Sequence, residues 1–308
     1  MEKNPLQSYL FAAIDFMINQ SGEWFFIEAN SWPGAMREAQ NIAKTSTCRP
    51  LEALLKSIHT SATPLTIHYV ETTKYLTRHK TRPIFVPKYY EHHPTVKNFV
   101  THEIPSTEDT ILADWYSRNK EALHNGVILT RFIAVKKILE EHGLCNVINP
   151  FSVSALTLDK FRISTALKSN PHFLVPKTFL CKTNHDVLHI MQEHKLTHAV
   201  LKPRYGQKGA GVLFIDQKNN NNLSIDWSGD WILQEQINTT QKGDAYWDIR
   251  ANVINGHFSD SFMRVSKNRV VNLAQGGRAT SIPKELEKKV QEAAEACVSM
   301  INSVAYKK

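Results

Sequence analysis

The sequence predicts an α/β (α+β) fold arranged in about two compact subdomains. The 308 residues are 42% hydrophobic and 21% charged, which is ordinary for a soluble globular protein. Strand-like and helix-like segments alternate between residues 65 and 150, and this alternation favours a small parallel sheet. Residues 13–34 and 248–265 instead carry hairpin signals, which indicate antiparallel strands.

Composition and charge narrow the classes of function. No apolar run is long enough to span a bilayer, and the opening MEKNPLQSYLF lacks the basic and apolar regions of a secretory signal. The four cysteines are scattered, so we expect reduced thiols and a cytoplasmic location, with leaderless export left open. The net charge of +8 favours an anionic substrate and a phosphate site. Nucleic-acid binding is the weaker alternative, because no nucleic-acid motif is present.

Residues 13–34 predict a hairpin with oxygen-bearing side chains at one end. Residues 13–18 are apolar, Asn-Gln-Ser-Gly is turn chemistry, and residues 23–29 form an aromatic-rich second strand. Asp15, Glu28 and Asn30 would converge there, and such oxygen ligands suit a hard cation like Mg²⁺. The alternative is an ordinary hairpin with solvated acids at its ends.

The next stretch predicts helices at 36–43 and 50–59, a linker at 60–64 and a small α/β domain at 62–150. The segments expected in that domain are strands at 65–70, 83–86, 127–129 and 146–148, helices at 74–82, 108–121 and 132–142, and irregular chain at 87–110. Strands alternating with helices in this way are typical of parallel pairing.

A glycine-rich turn between two strands follows in the second half. A helix at 160–168, a strand at 175–179 and a helix at 184–193 capped by Asn184 precede a strand at 198–202. That strand ends on a lysine, and a glycine-rich turn leads to a strand at 212–215. A phosphate loop or a dinucleotide fingerprint would open a helix instead, so neither fits. A flexible hairpin closing over phosphates fits, and a plain surface hairpin is the alternative.

The last segments predict more antiparallel sheet and a long helix. They are a polar loop at 217–230, strands at 231–237 and 248–265 with an Asn255-Gly256 turn, a second glycine loop at 272–280 and an amphipathic helix at 284–304.

These blocks, taken in cyclic order, resemble the ATP-grasp superfamily, and most closely its RimK-like and glutathione-synthetase-like ligases. The Asp…Glu-x-Asn hairpin normally ends that domain, whereas here it is residues 13–34. The resemblance therefore implies a circularly permuted ATP-grasp fold. Residues 1–60 would be the permuted C-terminal piece, 62–150 the substrate-side (pre-ATP-grasp) domain, and 151–308 the main ATP-grasp domain. Surface-exposed, neighbouring termini make permutation physically reasonable.

The resemblance also implies roles for individual residues. Those implied to bind the nucleotide are Lys160, Lys202, Gly206, Gln207, Lys208, Gly209, Gly211, Gln234, Glu235, Gln236, Ile237 and, as the candidate ribose-binding acid, Asp244. Those implied to act in catalysis are Lys202, Arg250, Asn272 and Arg278. Those implied to hold Mg²⁺, with Mn²⁺ as a substitute, are Asp15, Glu28 and Asn30.

Within that set, Lys202 would contact the α- and β-phosphates, and residues 206–211 would cover the phosphates. Main-chain groups of residues 234–237 would read the adenine edge, and Arg250 would hold the γ-phosphate or the acyl phosphate. Lys160 could instead be a helix-surface lysine and Arg250 a sheet-edge charge. The sequence does not decide whether Arg264 and Arg269 face the active site or the solvent.

The implied reaction is ATP-dependent carboxylate–amine ligation through an acyl phosphate, with release of ADP and phosphate. Such chemistry needs positioning and charge neutralisation more than a covalent nucleophile. The expected substrates are a small-molecule or peptide carboxylate and an amine, with neither DNA nor membrane as a partner. The alternatives are an ATP-grasp kinase acting on a small anionic acceptor, or a nucleotide-binding protein without turnover. The oligomeric state stays open.

Overall fold

The computed structural model describes residues 8–32, 34–45, 47–59, 65–78, 84–206, 209–218, 225–239, 245–273 and 276–306. The strands in these ranges are β1 Phe11–Ile18, β2 Trp24–Asn30, β3 Leu65–Thr72, β4 Val96–Ile104, β5 Val127–Thr130, β6 Thr178–Cys181, β7 His198–Pro203, β8 Leu213–Asp216, β9 Trp231–Glu235, β10 Tyr246–Ile254, β11 His257–Ser266 and β12 Arg278–Thr280. The helices are α1 Met36–Ala43, α2 Arg49–Ile58, α3 Thr73–Arg78, α4 Phe85–Glu91, α5 Asp109–Leu123, α6 Ile133–Glu141, α7 Phe151–Leu158, α8 Lys160–Leu167, α9 Asn184–Glu193 and α10 Lys284–Ala305.

The N-terminal hairpin and the C-terminal strands form one sheet. Its order is β12-β11-β10-β1-β2, and every pairing in it is antiparallel. β1 is an interior strand of this sheet, between β10 and β2, and its sequence FAAIDFMI is almost wholly buried. A strand covered on both faces needs such a near-continuous apolar run, which explains why alternation is weak there. The one acid in the run is Asp15.

Two layers cover the five-stranded sheet. One face packs against α7, α8 and α10, where Val290, Cys297 and Ile301 are fully buried. The other face packs against α2 and the three-stranded sheet through Phe11, Leu51 and other apolar side chains. Burial of these side chains contributes about 1.5–3 kcal/mol each. The hairpin is therefore part of the core and not an appendage.

The three-stranded sheet has the order β4-β3-β5 and is wholly parallel, as the alternation of segments predicts. Three predictions for this part of the chain were wrong. Residues 85–86 were expected in a strand, but they begin α4, and residues 87–110 were expected to be irregular, but they contain most of α4 and all of β4. Residues 146–148 make a single bridge, between Ile128 and Val147, and do not form a strand.

The remaining sheet is antiparallel and has the order β6-β9-β7-β8, with α9 packed on it. The cap of α9 is Thr183 and not the expected Asn184, because the Thr183 hydroxyl accepts the backbone N–H of Asp186 in a reciprocal capping box. The predicted linker at 60–64 lies outside the described residues. No helix in the described ranges is long and apolar enough to cross a membrane.

Two contacts tie distant parts of the chain together. The backbone N–H of Tyr9 donates to Asn302 Oδ1 over 2.8 Å, so the start of β1 lies beside the end of α10. The fully buried Asn149 donates to the carbonyls of Phe11 and Ser31 and accepts from the N–H of Phe11. These bonds join the segment after the three-stranded sheet to β1 and to the end of the hairpin.

Candidate functional site

A cavity of about 1150 Å³ lies where the four-stranded and five-stranded sheets meet. Most of the residues predicted for the site line it. They are Asp15, Glu28, Asn30, Lys160, Lys202, Gly206, Gly209, Gln234, Glu235, Gln236, Ile237, Arg250 and Asn272. The structure thus brings residues from the first 30 positions and from positions 160–272 around one space.

Some predicted residues are elsewhere. Arg278 is exposed on β12, and neither it nor Gly211 is among the residues that line the cavity. Gln207, Lys208 and Asp244 lie outside the described residues. The strand–glycine–strand hairpin itself is present, since β7 and β8 pair on either side of the turn.

Two lysines line the cavity, Lys160 at the start of α8 and Lys202 near the end of β7. Lys202 is 8% exposed and its Nζ donates to Gln234 Oε1 over 2.8 Å. Burial lowers the pKa of Lys202 to about 8, while Glu28 opposes this shift and Lys160 adds to it. Burial also lowers the pKa of Lys160, whose Nζ donates to the carbonyl of Gly206. Both ammonium groups are partly desolvated, which strengthens their attraction for an anion.

The base of the glycine turn is fixed by an ion pair. The Asp159 carboxylate caps α8 through the N–H groups of Phe161 and Arg162, and accepts Arg204 Nε and Nη2 over 2.8 and 2.6 Å. At Gly211, φ is +71° and an added Cβ would lie 2.9 Å from Pro203 Cγ. Only glycine satisfies both the left-handed backbone and this close approach.

Two arginines and two aspartates form a network on the five-stranded sheet. Asp15 lies directly opposite Arg250 in the strand register, and Asp248 lies opposite Arg264. Arg250 donates to both oxygens of Asp15 over 2.7 Å, and Arg264 donates to both oxygens of Asp248 over 2.7 and 2.5 Å. Arg264 Nη2 also lies 2.9 Å from Asp15 Oδ2. Cross-strand neighbours on one face thus balance their charges locally.

The shared arginines affect the two acids differently. Burial alone would raise the pKa of Asp15, but Arg250 and Arg264 hold it below its usual range. Burial raises the pKa of Asp248 to about 6 despite Arg264, and the neighbouring charge of Asp15 adds to the shift. Asp15 therefore stays ionised at neutral pH and leaves few lone pairs unused.

The side chains of Glu28 and Asn30 have fewer protein partners than the side chain of Asp15. Glu28 is opposite Asp15 in the hairpin but makes no hydrogen bond or ion pair within the described ranges. The Asn30 Nδ2 atom is buried and has no partner there either. Both side chains line the cavity, and carboxylate and amide oxygens suit Mg²⁺. They could contribute two oxygen ligands to a metal site that a substrate completes. Among the described residues, no cluster of three or more His, Cys, Asp and Glu side chains could hold a metal.

Sequence reasoning did not assign five charged residues that line the cavity. Arg264 and Arg269 were left undecided, and Glu38, Asp248 and Arg131 were not considered. The spacing of Asp248 and Arg250, two apart on one strand, could have revealed Asp248 as a residue on the same face. Arg131 directly follows a predicted parallel strand, at the edge where ligands bind in α/β sheets.

Comparison with known proteins supports this architecture. Residues 166–304 match the family model described as the ATP-grasp domain of prokaryotic glutathione synthetase. The chain is similar to two enzymes named coenzyme γ-F420-2:α-L-glutamate ligase. It is 29% identical over 175 residues to that of Methanococcus maripaludis, and 27% identical over 170 residues to that of Methanocaldococcus jannaschii. Each match covers 54% of this chain and 58% or 57% of the relative, so the chain spans a little over half the length of these proteins.

Solved structures share the fold at low sequence identity. A protein from Methylobacillus flagellatus, named as a candidate γ-glutamylcysteine synthetase, superposes with a TM-score of 0.55 at 13% identity, covering 96% of this chain and 88% of that one. The D-alanine–D-alanine ligase of Bacillus anthracis with ATP gives 0.54 at 15% identity, covering 77% and 78%. At these identities the likeness concerns the fold alone.

Proposed function

The chain carries an ATP-grasp domain, and from this premise we propose that it is an ATP-dependent carboxylate–amine ligase. One observation carries the proposal. The lysines Lys160 and Lys202, the Arg250 network and the pair Glu28 and Asn30 line a single cavity between two sheets. The charges that line this cavity are suited to binding a nucleoside triphosphate, a divalent cation and an anionic acid side by side. Phosphoryl transfer is catalysed mainly by such positioning and charge neutralisation.

In this proposal the nucleotide lies along the four-stranded sheet. Lys160 and Lys202 bind its phosphates, and the turn between β7 and β8 covers them. The backbone N–H groups of Glu235 and Gln236 already donate to Lys177 O and His198 O. We therefore assign the adenine edge to the main chain at Ile237, next along the same segment. Backbone recognition there would leave the Glu235 side chain a minor role.

Glu28 and Asn30 would hold Mg²⁺ against the phosphates. Bound there, Mg²⁺ would neutralise phosphate charge and orient the terminal phosphoryl group. Asp15 now has both oxygens on Arg250. We propose that the γ-phosphate draws Arg250 away, so that Asp15 can join the metal ligands only when nucleotide is present.

The reaction then proceeds in two balanced steps. A carboxylate oxygen of the acid attacks the γ-phosphorus and the bond to the ADP oxygen breaks, which gives an acyl phosphate. An amine next attacks the acyl carbon, phosphate leaves, and the amine loses a proton to form the amide. Arg250 would neutralise the transferring phosphoryl group, with Arg264 holding Asp15 and Asp248 in place behind it. Asn272, which also lines the cavity, would contact the substrate in this proposal.

We also propose that the chain is a circular permutant of the usual ATP-grasp order. The adjacency of the hairpin strand β1 to β10 supports this, as does the bond between Tyr9 and Asn302 that brings the two ends of the fold together.

The four cysteines are free, in keeping with a reducing cytoplasm.

A trapping assay tests the proposed reaction. The protein is incubated with Mg·ATP, hydroxylamine and a panel of carboxylic acids, and ADP and hydroxamate are both measured. A ligase produces equal amounts of the two, because hydroxylamine takes the place of the amine. ADP formed together with a stable phosphorylated alcohol, and without hydroxamate, would identify a kinase and contradict the proposal. Glu28→Gln should abolish both products.

A further inference from the structure

Arg131 is a cationic residue of the cavity that the nucleotide and metal roles do not use. It directly follows β5, at the carboxyl edge of the three-stranded parallel sheet, and lines the cavity with Phe132 and Ile133. This edge lies on a different sheet from the one that carries Lys202. Outside the carboxyl ends of parallel strands is where open α/β sheets bind ligands.

The guanidinium of Arg131 is held in a fixed orientation. Its Nη2 donates to Glu71 Oε1 over 3.1 Å, and its Nε lies 3.0 Å from Glu71 Oε2 but is not aligned for a hydrogen bond. The Tyr75 ring lies against the guanidinium face, with its centroid 3.7 Å from Cζ. Stacking and this one hydrogen bond together restrain the group, so less side-chain entropy remains to be lost on binding.

Glu71 holds Arg131 in place and is not itself available to a ligand. It is fully buried, and it also accepts the Tyr69 hydroxyl over 2.9 Å and the Thr72 N–H over 2.8 Å. These neutral donors satisfy much of its hydrogen-bonding capacity. Arg131 therefore neutralises Glu71 with one side of its fork, while its Nη1 donates to no residue in the described part of the chain.

We infer that Arg131 binds a second carboxylate of the substrate, remote from the one that reacts. This inference rests on the proposed ligase function and names a substrate class for it, namely an amino acid or a peptide that has two carboxylates, of which one reacts and the other is a free α-carboxylate. The planar fork matches a carboxylate in a two-point contact. The phosphates have their own cations, Lys202 on the four-stranded sheet and Lys160 at the start of α8. Trp32, which lines the cavity 6.4 Å from the Tyr69 ring, gives an apolar wall for the carbon chain between the two ends.

The test compares acids with their amides. The protein is saturated with Mg²⁺ and a non-hydrolysable ATP analogue, and the affinity for each L-amino acid and its α-amide is measured by calorimetry. We expect at least one amino acid to bind at least about tenfold more tightly than its α-amide, because the amide forfeits charge-assisted hydrogen bonds. Arg131→Gln should remove this preference and leave the affinity for the nucleotide analogue unchanged.

Arg118→Gln is the matched control, because Arg118 is exposed and pairs only with Asp114 among the described residues. If Arg131→Gln fails to fold because Glu71 is left buried and unpaired, the double variant Glu71→Gln/Arg131→Gln removes that charge and should show the same loss of preference. Equal binding of acid and amide by the wild type overturns the inference. So does a preference that survives in the variants, or nucleotide binding without binding of any amino acid. Failure of the nucleotide analogue itself to bind is a separate result that overturns the ligase proposal as well.

Discussion

Asp15 and Glu28 lie opposite each other in the hairpin, yet their surroundings predict different responses to mutation. Asp15 is 2% exposed and bound by two arginines, whereas Glu28 has no such partner within the described ranges. Removing one partner of a buried ion pair leaves the other charge without compensation. Glu28 makes no hydrogen bond among the described residues and acts on Lys160, Lys202 and Arg264 only through longer-range attraction, so removing its charge should cost less.

Glu28→Gln should therefore change the free energy of unfolding by no more than about 1 kcal/mol. Asp15→Asn should lower it by about 3 kcal/mol or more, because Arg250 and Arg264 lose a buried counter-charge. Urea unfolding without nucleotide measures both variants under the same conditions. Equal stabilities of the two variants would show that the Asp15 network is not a structural element.

The candidate site could be predicted at residue level only where local sequence carries the signal. Three local patterns carried the prediction: a lysine at a strand end, a glycine turn and the Glu-x-Asn ending of a strand. Residues from all three line the cavity. The pairing of Arg264 with both Asp15 and Asp248 depends on the register between β1, β10 and β11. No local pattern specifies that register, so the sequence left Arg264 undecided.

At the level of elements, long amphipathic segments were predictable and short segments shaped by packing were not. Helix α4 has the sequence FVPKYYE, whose aromatic, β-branched and proline residues favour a strand or a loop. It forms because Pro87 lies in the first turn, where no N–H is needed, and because Val86 and Tyr90 share a buried face. Strand β4 is an edge strand with an irregular burial pattern, so its alternation is weak.

The buried lysine of α6 gives a pH-dependent prediction at this scale. Lys136 Nζ donates to the carbonyls of Ile148 and Asn149 and to Ser154 Oγ, which connects α6 to the segment leading into α7. Burial lowers the pKa of Lys136 to about 7 from the usual 10.5. Above pH 7 the unfolded chain therefore binds a proton that the folded chain does not, so stability from this group rises with pH up to the unfolded pKa.

The stability of the wild type relative to Lys136→Met should accordingly increase by about 1.4 kcal/mol per pH unit between pH 7 and pH 10. Chemical unfolding at several pH values measures this difference. Lys137→Met is the control, because Lys137 is half exposed, and it should show no such trend. A constant difference for Lys136→Met would mean that the lysine stays charged in the folded protein.

For the whole molecule, the arrangement of strands makes a prediction about chain order. The start of β1 contacts the end of α10 through Tyr9 and Asn302, and β1 lies inside the five-stranded sheet. The fold thus depends on the hairpin being present and much less on where the chain is cut.

A rearranged chain that joins residue 308 to residue 1 by a short glycine-serine linker, and opens between residues 60 and 64, should fold and bind nucleotide like the wild type. A chain lacking residues 1–34 should not fold, because it would expose the buried faces of β10. Circular dichroism and nucleotide affinity compare the two. If the truncated chain folds and binds nucleotide with unchanged affinity, the hairpin is not required for the five-stranded sheet or for the site.

We propose that the first 30 residues and the second half of the chain together build one Mg-nucleotide site. The most direct measurement is calorimetric binding of a non-hydrolysable ATP analogue, with and without Mg²⁺, to the wild type, Glu28→Gln and Lys202→Ala. We predict that Mg²⁺ strengthens binding to the wild type, that Glu28→Gln removes only this gain, and that Lys202→Ala weakens binding in both conditions. A gain from Mg²⁺ that persists in Glu28→Gln would contradict the claim, because the hairpin would then contribute nothing to the site.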